Sequence, residues 1–327
     1  MSFPQRRLRR LRRTPALRRM IAETRLATDD LIAPLFVRED IREPQPIESM
    51  PGVVQHTRDS LRAEVSALIE LGIPGVIIFG VPDKKDQFGS GAWAEDGIVQ
   101  VALRDLRDDV GDKMVLIADL CIDEYTDHGH CGVLGDDGRV DNDATLELYA
   151  QIATAQAGAG ADIIAPSGMM DGQVFAIREA LDEDGFDGVA ILAYAAKYAS
   201  ALYGPFRDAV DVSIANGGDR KDYQQDFRNV REAMEEIHFD INEGADMVMV
   251  KPALAYLDVI ARARSEVTVP LAAYHVSGEF AMIHAAAERG WIDGPAVAFE
   301  HMTAIKRAGA DLILTYFARD LAELLGR

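Results

Sequence analysis

Short, near-continuous apolar runs recur along the chain, each followed by a polar or glycine-rich loop and then by a segment of helical periodicity. Eight runs read as strands: 31–37, 75–80, 114–120, 162–167, 189–197, 246–252, 270–278 and 311–317. They lack the polar alternation of half-exposed strands, which is the mark of parallel strands buried on both faces. Between them, segments 59–72, 143–160, 226–244 and 278–290 carry helical spacing, with Asp59, Asp143 and Asp226 placed where a side chain can cap the first turn. A phrase of helix stop, turn and strand repeats at 157–167, 243–252 and 308–317. Eight strand–helix alternations predict an α/β fold, a (β/α)8 TIM barrel over residues 31–327 with an extended N-terminal arm over 1–30. A doubly wound sheet is the alternative, but no G-x-G-x-x-G opens a helix.

Barrels of this kind carry their active sites at the C-terminal ends of the strands. Asp119, Ser167, Lys197, Lys251, Ser277 and Tyr316 all fall there or just beyond, so polar side chains converge on one mouth. Lys197 and Lys251 stand out, because each closes an apolar strand in a chain with only seven lysines among 34 basic residues. A lysine amine becomes a nucleophile when desolvation or a second cation lowers its pKa. A single rim lysine reads first as a salt bridge or phosphate contact; two at strand ends reverse that preference and point to carbonyl substrates held as Schiff bases.

Cys121, Asp123 and Cys131 lie on and after a strand end, with His128 and His130 between them. Two thiolates and a carboxylate could hold Zn²⁺ with a fourth position open; the bland reading is a buried Cys121 beside an incidental Cys131. The long segment 203–226 carries Arg207, Arg220 and Lys221 among glycines and aspartates, suiting either a lid that clamps a carboxylate or a solvated crossover. The glycine-rich segment 80–93, with Lys84 and Lys85, reads as lid or connection.

The 327 residues carry a net charge of −20, yet nine arginines against Glu23 alone make residues 1–25 basic. Docking of this arm on an acidic neighbouring subunit is expected. Nucleic-acid binding is the competing reading, disfavoured by the acidic body and the scarcity of aromatic residues in the arm. An acidic body poor in lysine is the pattern of proteins working in very high salt, where screening removes self-repulsion. The melting temperature is therefore expected to rise between low and molar KCl; a flat response would refute salt adaptation. Two cysteines do not make a disulfide framework, and with neither an apolar span nor a secretory signal the cytoplasm is the expected compartment, with no membrane partner.

Taken in series, the arginine-rich arm, Pro34–Val37, Ser49–Val53, Phe79–Asp86, the Asp119–Gly132 loop, Ala165–Gly172, Lys197–Ala209, Gly218–Gln224, Met249–Asp258, Ala273–Glu279 and Leu314–Tyr316 resemble porphobilinogen synthase, also called 5-aminolevulinate dehydratase, over nearly the whole length. The resemblance implies a lyase that condenses two 5-aminolevulinate molecules to porphobilinogen with loss of two waters, in tetrapyrrole (heme) biosynthesis. It implies a homo-octamer with arms wrapping neighbours. Lys251 would form the Schiff base with the first substrate, its carboxylate held by Ser277 and Tyr316. Lys197 would bind the second, with Arg207, Arg220 and Gln224 at its carboxylate, and Asp119 would shuttle protons. Zinc-dependent members have cysteines at the positions of Cys121, Asp123 and Cys131, and a magnesium branch has carboxylates; this chain is a hybrid whose two thiols favour zinc. Glu236 matches an allosteric magnesium position, and Gly168 stands where the family usually has aspartate. A class I aldolase-type lyase, needing only one reactive lysine, is the alternative activity.

Overall fold

The structure, a computed structural model, describes residues 3–214 and 218–326. Ten strands form one sheet: β1 Leu31–Arg38, β2 Gln45–Pro46, β3 Val54–His56, β4 Gly75–Val81, β5 Val115–Leu120, β6 Ile163–Pro166, β7 Ala190–Lys197, β8 Met247–Lys251, β9 Leu271–His275 and β10 Leu312–Thr315. Strands β1 and β4 to β10 run parallel in chain order, and β10 pairs back onto β1. The sheet therefore closes into the eight-stranded barrel expected from the apolar runs. The short antiparallel β2–β3 pair, which the periodicity did not announce, extends the sheet beside β1.

Every residue of β4 and nearly every residue of β1, β5 and β7 is buried, because barrel interior and helical jacket cover both faces. The capping positions differ from those read off the sequence. Thr57, not Asp59, caps the helix Arg58–Glu70, its hydroxyl accepting from Ser60 N at 3.0 Å. Asp141, not Asp143, caps Asn142–Gly158, and Asp226 lies before a helix that begins at Val230. A cap must sit one residue outside the first helical φ/ψ, and periodicity places that boundary only to within a turn.

The pairing of β7 with β8 matters most for the site. Ala193 faces Val248, but Ala196 faces Val250, so β7 carries one extra residue and Lys197 becomes the register partner of Lys251. Without that bulge Ala196 would stand opposite Lys251, since a one-residue slip exchanges the two faces of a strand. Ahead of the barrel, the 3-10 turn Leu8–Arg12 and the helix Pro15–Met20 bury no residue, and Leu8, Leu11 and Met20 are exposed. Among the described residues, no helix is long and apolar enough to cross a membrane.

Candidate active site

Lys251 ends β8 inside a cage of rings. Its Nζ lies 4.5 Å from the centroid of Tyr274, 4.9 Å from Tyr194, 5.2 Å from Phe206 and 5.4 Å from Tyr203. Aromatic faces welcome an ammonium but replace little of its lost hydration. Burial therefore pushes the amine down to about 7 and Lys197 adds repulsion, while Asp119 pulls the other way. The consequence is large: at neutral pH the share of unprotonated amine rises from well under roughly one in a thousand for an ordinary lysine to about half.

Lys197, at the end of β7, donates to the carbonyl oxygen of Ser167. Ser167 Oγ in turn donates to Asp119 Oδ2 at 3.1 Å, and Gln156 Nε2 donates to the Asp119 carbonyl at 2.8 Å. Asp119 is buried, and burial raises its carboxyl to about 6 against the pull of Lys251 and Lys197. Near neutrality one group can accept a proton while the other releases one.

Two flanking regions can meet carboxylates. Beside Lys251, Tyr316 OH lies 2.9 Å from Tyr274 OH, and Ser277 Oγ accepts from Phe206 N at 3.0 Å. On the other side, Arg207, Arg220 and Gln224 line one cavity of about 470 Å³ with Ser200 and Tyr256. Burial and the nearby Arg220 hold the Arg207 guanidinium below its ordinary value, so an anion between them would relieve both costs. Gln224 Nε2 is buried with no partner among the described residues, a donor left for a ligand.

The donor atoms of Cys121, Asp123 and Cys131 lie within 4.8 Å of one another and all three residues are buried; no other such group of three occurs among the described residues. Burial raises the Cys121 thiol, with Cys131 beside it adding to the rise. For Cys131 burial acts in the same direction but is outweighed by the hydrogen bond from Cys121 and by Arg220. Two sulfurs and one carboxylate in a tight, dry cluster fit a borderline-soft divalent cation that keeps an open position. Asp123 has a second partner: Arg220 donates to its Oδ2 at 2.6 Å and to the Gly129 carbonyl at 2.8 Å. Burial opposes ionisation of Asp123, but Arg220 and Lys197 outweigh it and hold the carboxyl low.

The sequence model of the family described as delta-aminolevulinic acid dehydratase matches residues 5–324. A relative of that name from Streptomyces coelicolor is 59% identical over 326 residues, 99% of this chain and 98% of that one. Another, from Mycobacterium tuberculosis strain H37Rv, is 58% identical over 323 residues, 98% of each. The crystal structure of the Toxoplasma gondii enzyme in complex with the product porphobilinogen superposes with a TM-score of 0.95 at 42% identity, covering 98% of this chain and 91% of that one.

The chain belongs to the delta-aminolevulinic acid dehydratase family.

Within this dehydratase fold the two lysines, Asp119 and the cysteine cluster share one mouth, as the strand ends suggested. Glu236 does not join them. It lines a separate acidic cavity of about 600 Å³ with Asp171, Asp226 and Glu232, where burial and then Asp171 raise it to about 7. His128 and His130 stand outside the donor cluster, bonded to Gln87 O at 3.2 Å and Tyr223 OH at 3.2 Å. The segment after β4 is a brace: Lys85 donates to Val210 O at 3.3 Å and Asp211 O at 2.8 Å, fastening the start of the segment expected to be a lid. The far end of that segment is tied to the cysteine loop by Arg220 and by Cys131 N donating to Tyr223 OH at 3.3 Å. Residues 215–217, within the same segment, lie outside the described residues.

Sequence reasoning missed the aromatic cage and Glu124. Tyr194 and Tyr274 each interrupt an alanine-rich apolar run, the one signal that could have singled them out. Glu124 is buried beside Asp123 and Asp119, and burial followed by repulsion from Asp123 pushes its carboxyl well above the usual carboxylate range. Nothing in its sequence position separates it from the many acids on the surface.

Proposed function

We propose that this protein is a porphobilinogen synthase, a lyase of porphyrin biosynthesis that joins two 5-aminolevulinate molecules with loss of two waters. The carrying observation is a pair of buried lysines in register on adjacent strands, one with its amine near neutrality, within a chain of the family. A class I aldolase needs only one such amine, and the second argues against it.

In this reading Lys251 attacks the ketone of the first substrate and water leaves as the iminium forms. The positive nitrogen draws electrons from the adjacent carbon, so a new carbon–carbon bond forms without a free carbanion. Ser277 and Tyr316 hold that substrate's carboxylate. Lys197 takes the second substrate, whose carboxylate meets Arg207, Arg220 and Gln224. Asp119, carrying a proton below about pH 6 and accepting one above it, moves protons between them. The Phe206, Tyr203 and Tyr274 rings keep the iminium side dry.

Cys121, Asp123 and Cys131 would hold Zn²⁺, which when bound supplies a Lewis acid and an open coordination position. The sulfur pair supports zinc over magnesium. Glu236, beside Asp171 and Glu232, is the candidate for a separate magnesium site. Residues 1–30 would be an arm covering a neighbouring copy in a homo-octamer, which its exposed Leu8, Leu11 and Met20 support, and the enzyme would work in the cytoplasm.

The test is incubation of the purified protein with 5-aminolevulinate, with and without zinc, scoring pyrrole colour and borohydride-trapped adducts by peptide mass. Pyrrole with an adduct on Lys251 is the expected result; neither product under any condition would overturn the reading. Exhaustive chelation is expected to remove activity, with zinc restoring it and magnesium alone not. Full recovery on magnesium would refute the zinc assignment.

A further inference from the structure

Tyr149, on the helix Asn142–Gly158, is fully buried and uses its hydroxyl at the cysteine cluster. The hydroxyl donates to the carbonyl oxygen of Cys131 at 2.7 Å and lies 3.8 Å from Cys121 Sγ. It thus touches both cysteines, one through its main chain and one through its sulfur, although they are ten positions apart in sequence.

The hydroxyl occupies space that only glycine leaves open. A Cβ on Gly168, just after β6, would stand 1.7 Å from Tyr149 OH, 2.6 Å from its Cζ and 2.9 Å from its Cε2. No side chain at 168 can coexist with this ring, because contacts that short lie far inside van der Waals separation. The same helix makes two further contacts to this region: Thr145 Oγ1 accepts from Val133 N at 3.0 Å, and Gln156 Nε2 donates to Asp119 O at 2.8 Å. Thr145, Tyr149 and Gln156 follow helical spacing and share one face. That face backs both the end of β5 and the returning loop that carries Cys131.

We propose that Tyr149 is a positioning residue of the metal centre, tying Cys121 and Cys131 into ligating geometry, and that Gly168 is its obligatory partner. The donated bond fixes the main chain of Cys131 while the same oxygen packs against the Cys121 sulfur, so one buried side chain restrains the placement of both cysteines, the usual role of a group that supports a metal ligand. The proposal rests on the reading of Cys121, Asp123 and Cys131 as a metal site.

The experiment measures zinc affinity by competition with a chromophoric chelator, the thiolate-to-cobalt charge-transfer band of the Co²⁺-loaded protein, and the rise in melting temperature that zinc produces. Tyr149→Phe keeps the ring and removes only the hydroxyl. It is expected to weaken zinc binding by on the order of tenfold, to shift the cobalt band and to shrink the zinc-induced rise. Gly168→Ala, whose Cβ would displace the hydroxyl while residue 149 stays tyrosine, is expected to do the same and serves if the first variant folds poorly. A purely structural role would lower the metal-free melting temperature and leave affinity and band unchanged. Zinc affinity within twofold of the parent in both variants would overturn the proposal alone. A parent protein that binds neither zinc nor cobalt through its cysteines would overturn the metal reading as well.

Discussion

Lys251→Met is expected to abolish borohydride trapping at position 251 and to lower pyrrole formation by on the order of 10⁴-fold or more, the scale seen when a covalent nucleophile is removed. Methionine preserves most of the stem volume inside the cage of Tyr194, Tyr203, Phe206 and Tyr274, so the loss would not come from a collapsed cavity. The parent enzyme should gain trapping as pH rises through about 7, because a buried amine with a lowered pKa is protonated and inert below that value and free above it. Single-turnover trapping across pH 5.5–9, followed by peptide mass, checks both statements. Retained turnover in the substituted protein, with a native melting curve, would end the Schiff-base mechanism at this position.

Lys197→Met is expected to stop pyrrole formation just as firmly while leaving the adduct on Lys251 intact. The second amine lies across the β7–β8 pair from the first and contributes repulsion that lowers Lys251 after burial has done the larger part. Removing that positive neighbour lets Lys251 hold its proton more tightly, so the pH midpoint of trapping should move to higher pH. Desolvation persists, and the midpoint should therefore stay below that of an exposed lysine. The measurement is the trapping midpoint in the variant beside the parent. An unmoved midpoint would show that the two amines do not feel each other, and retained pyrrole formation would remove Lys197 from the reaction.

These two substitutions differ in kind from changes at the carboxylate clamps. Arg207 and Arg220 both bring positive charge to one cavity, whereas under the proposed mechanism each lysine would form a bond of its own. Arg220 is also shared, since its bond to Asp123 joins the cavity it lines with Arg207 to the cysteine cluster. Under the proposed function, ligand binding in one compartment and cation binding in the other would bear on the same guanidinium.

Much of the site was legible before any coordinates. Eight apolar runs without alternation determined buried parallel strands and pointed to a closed barrel over a doubly wound sheet, and a barrel puts the ends of its strands at one mouth. Lys197, Lys251, Asp119 and Cys121 were thereby assigned to one region by counting residues along strands. Cys131 and Asp123 followed from their place in the loop after β5. These are local properties: strand period and strand end are written in consecutive residues.

Tertiary structure alone decided the rest. The extra residue in β7 that brings Lys197 opposite Lys251 leaves no mark in an alanine-rich run, because register is a relation between two strands. Tyr194, Tyr203, Phe206 and Tyr274 come from three separate segments, and they lower the Lys251 pKa only by converging on one nitrogen. The exchange of space between Gly168 and the Tyr149 hydroxyl joins a loop to a helix that precedes it. The bond from Arg220 to Asp123 spans 97 positions. A sequence can determine which groups reach the mouth of a barrel, but desolvation, repulsion and steric exclusion act through space, and only the folded chain sets which groups act on one another there.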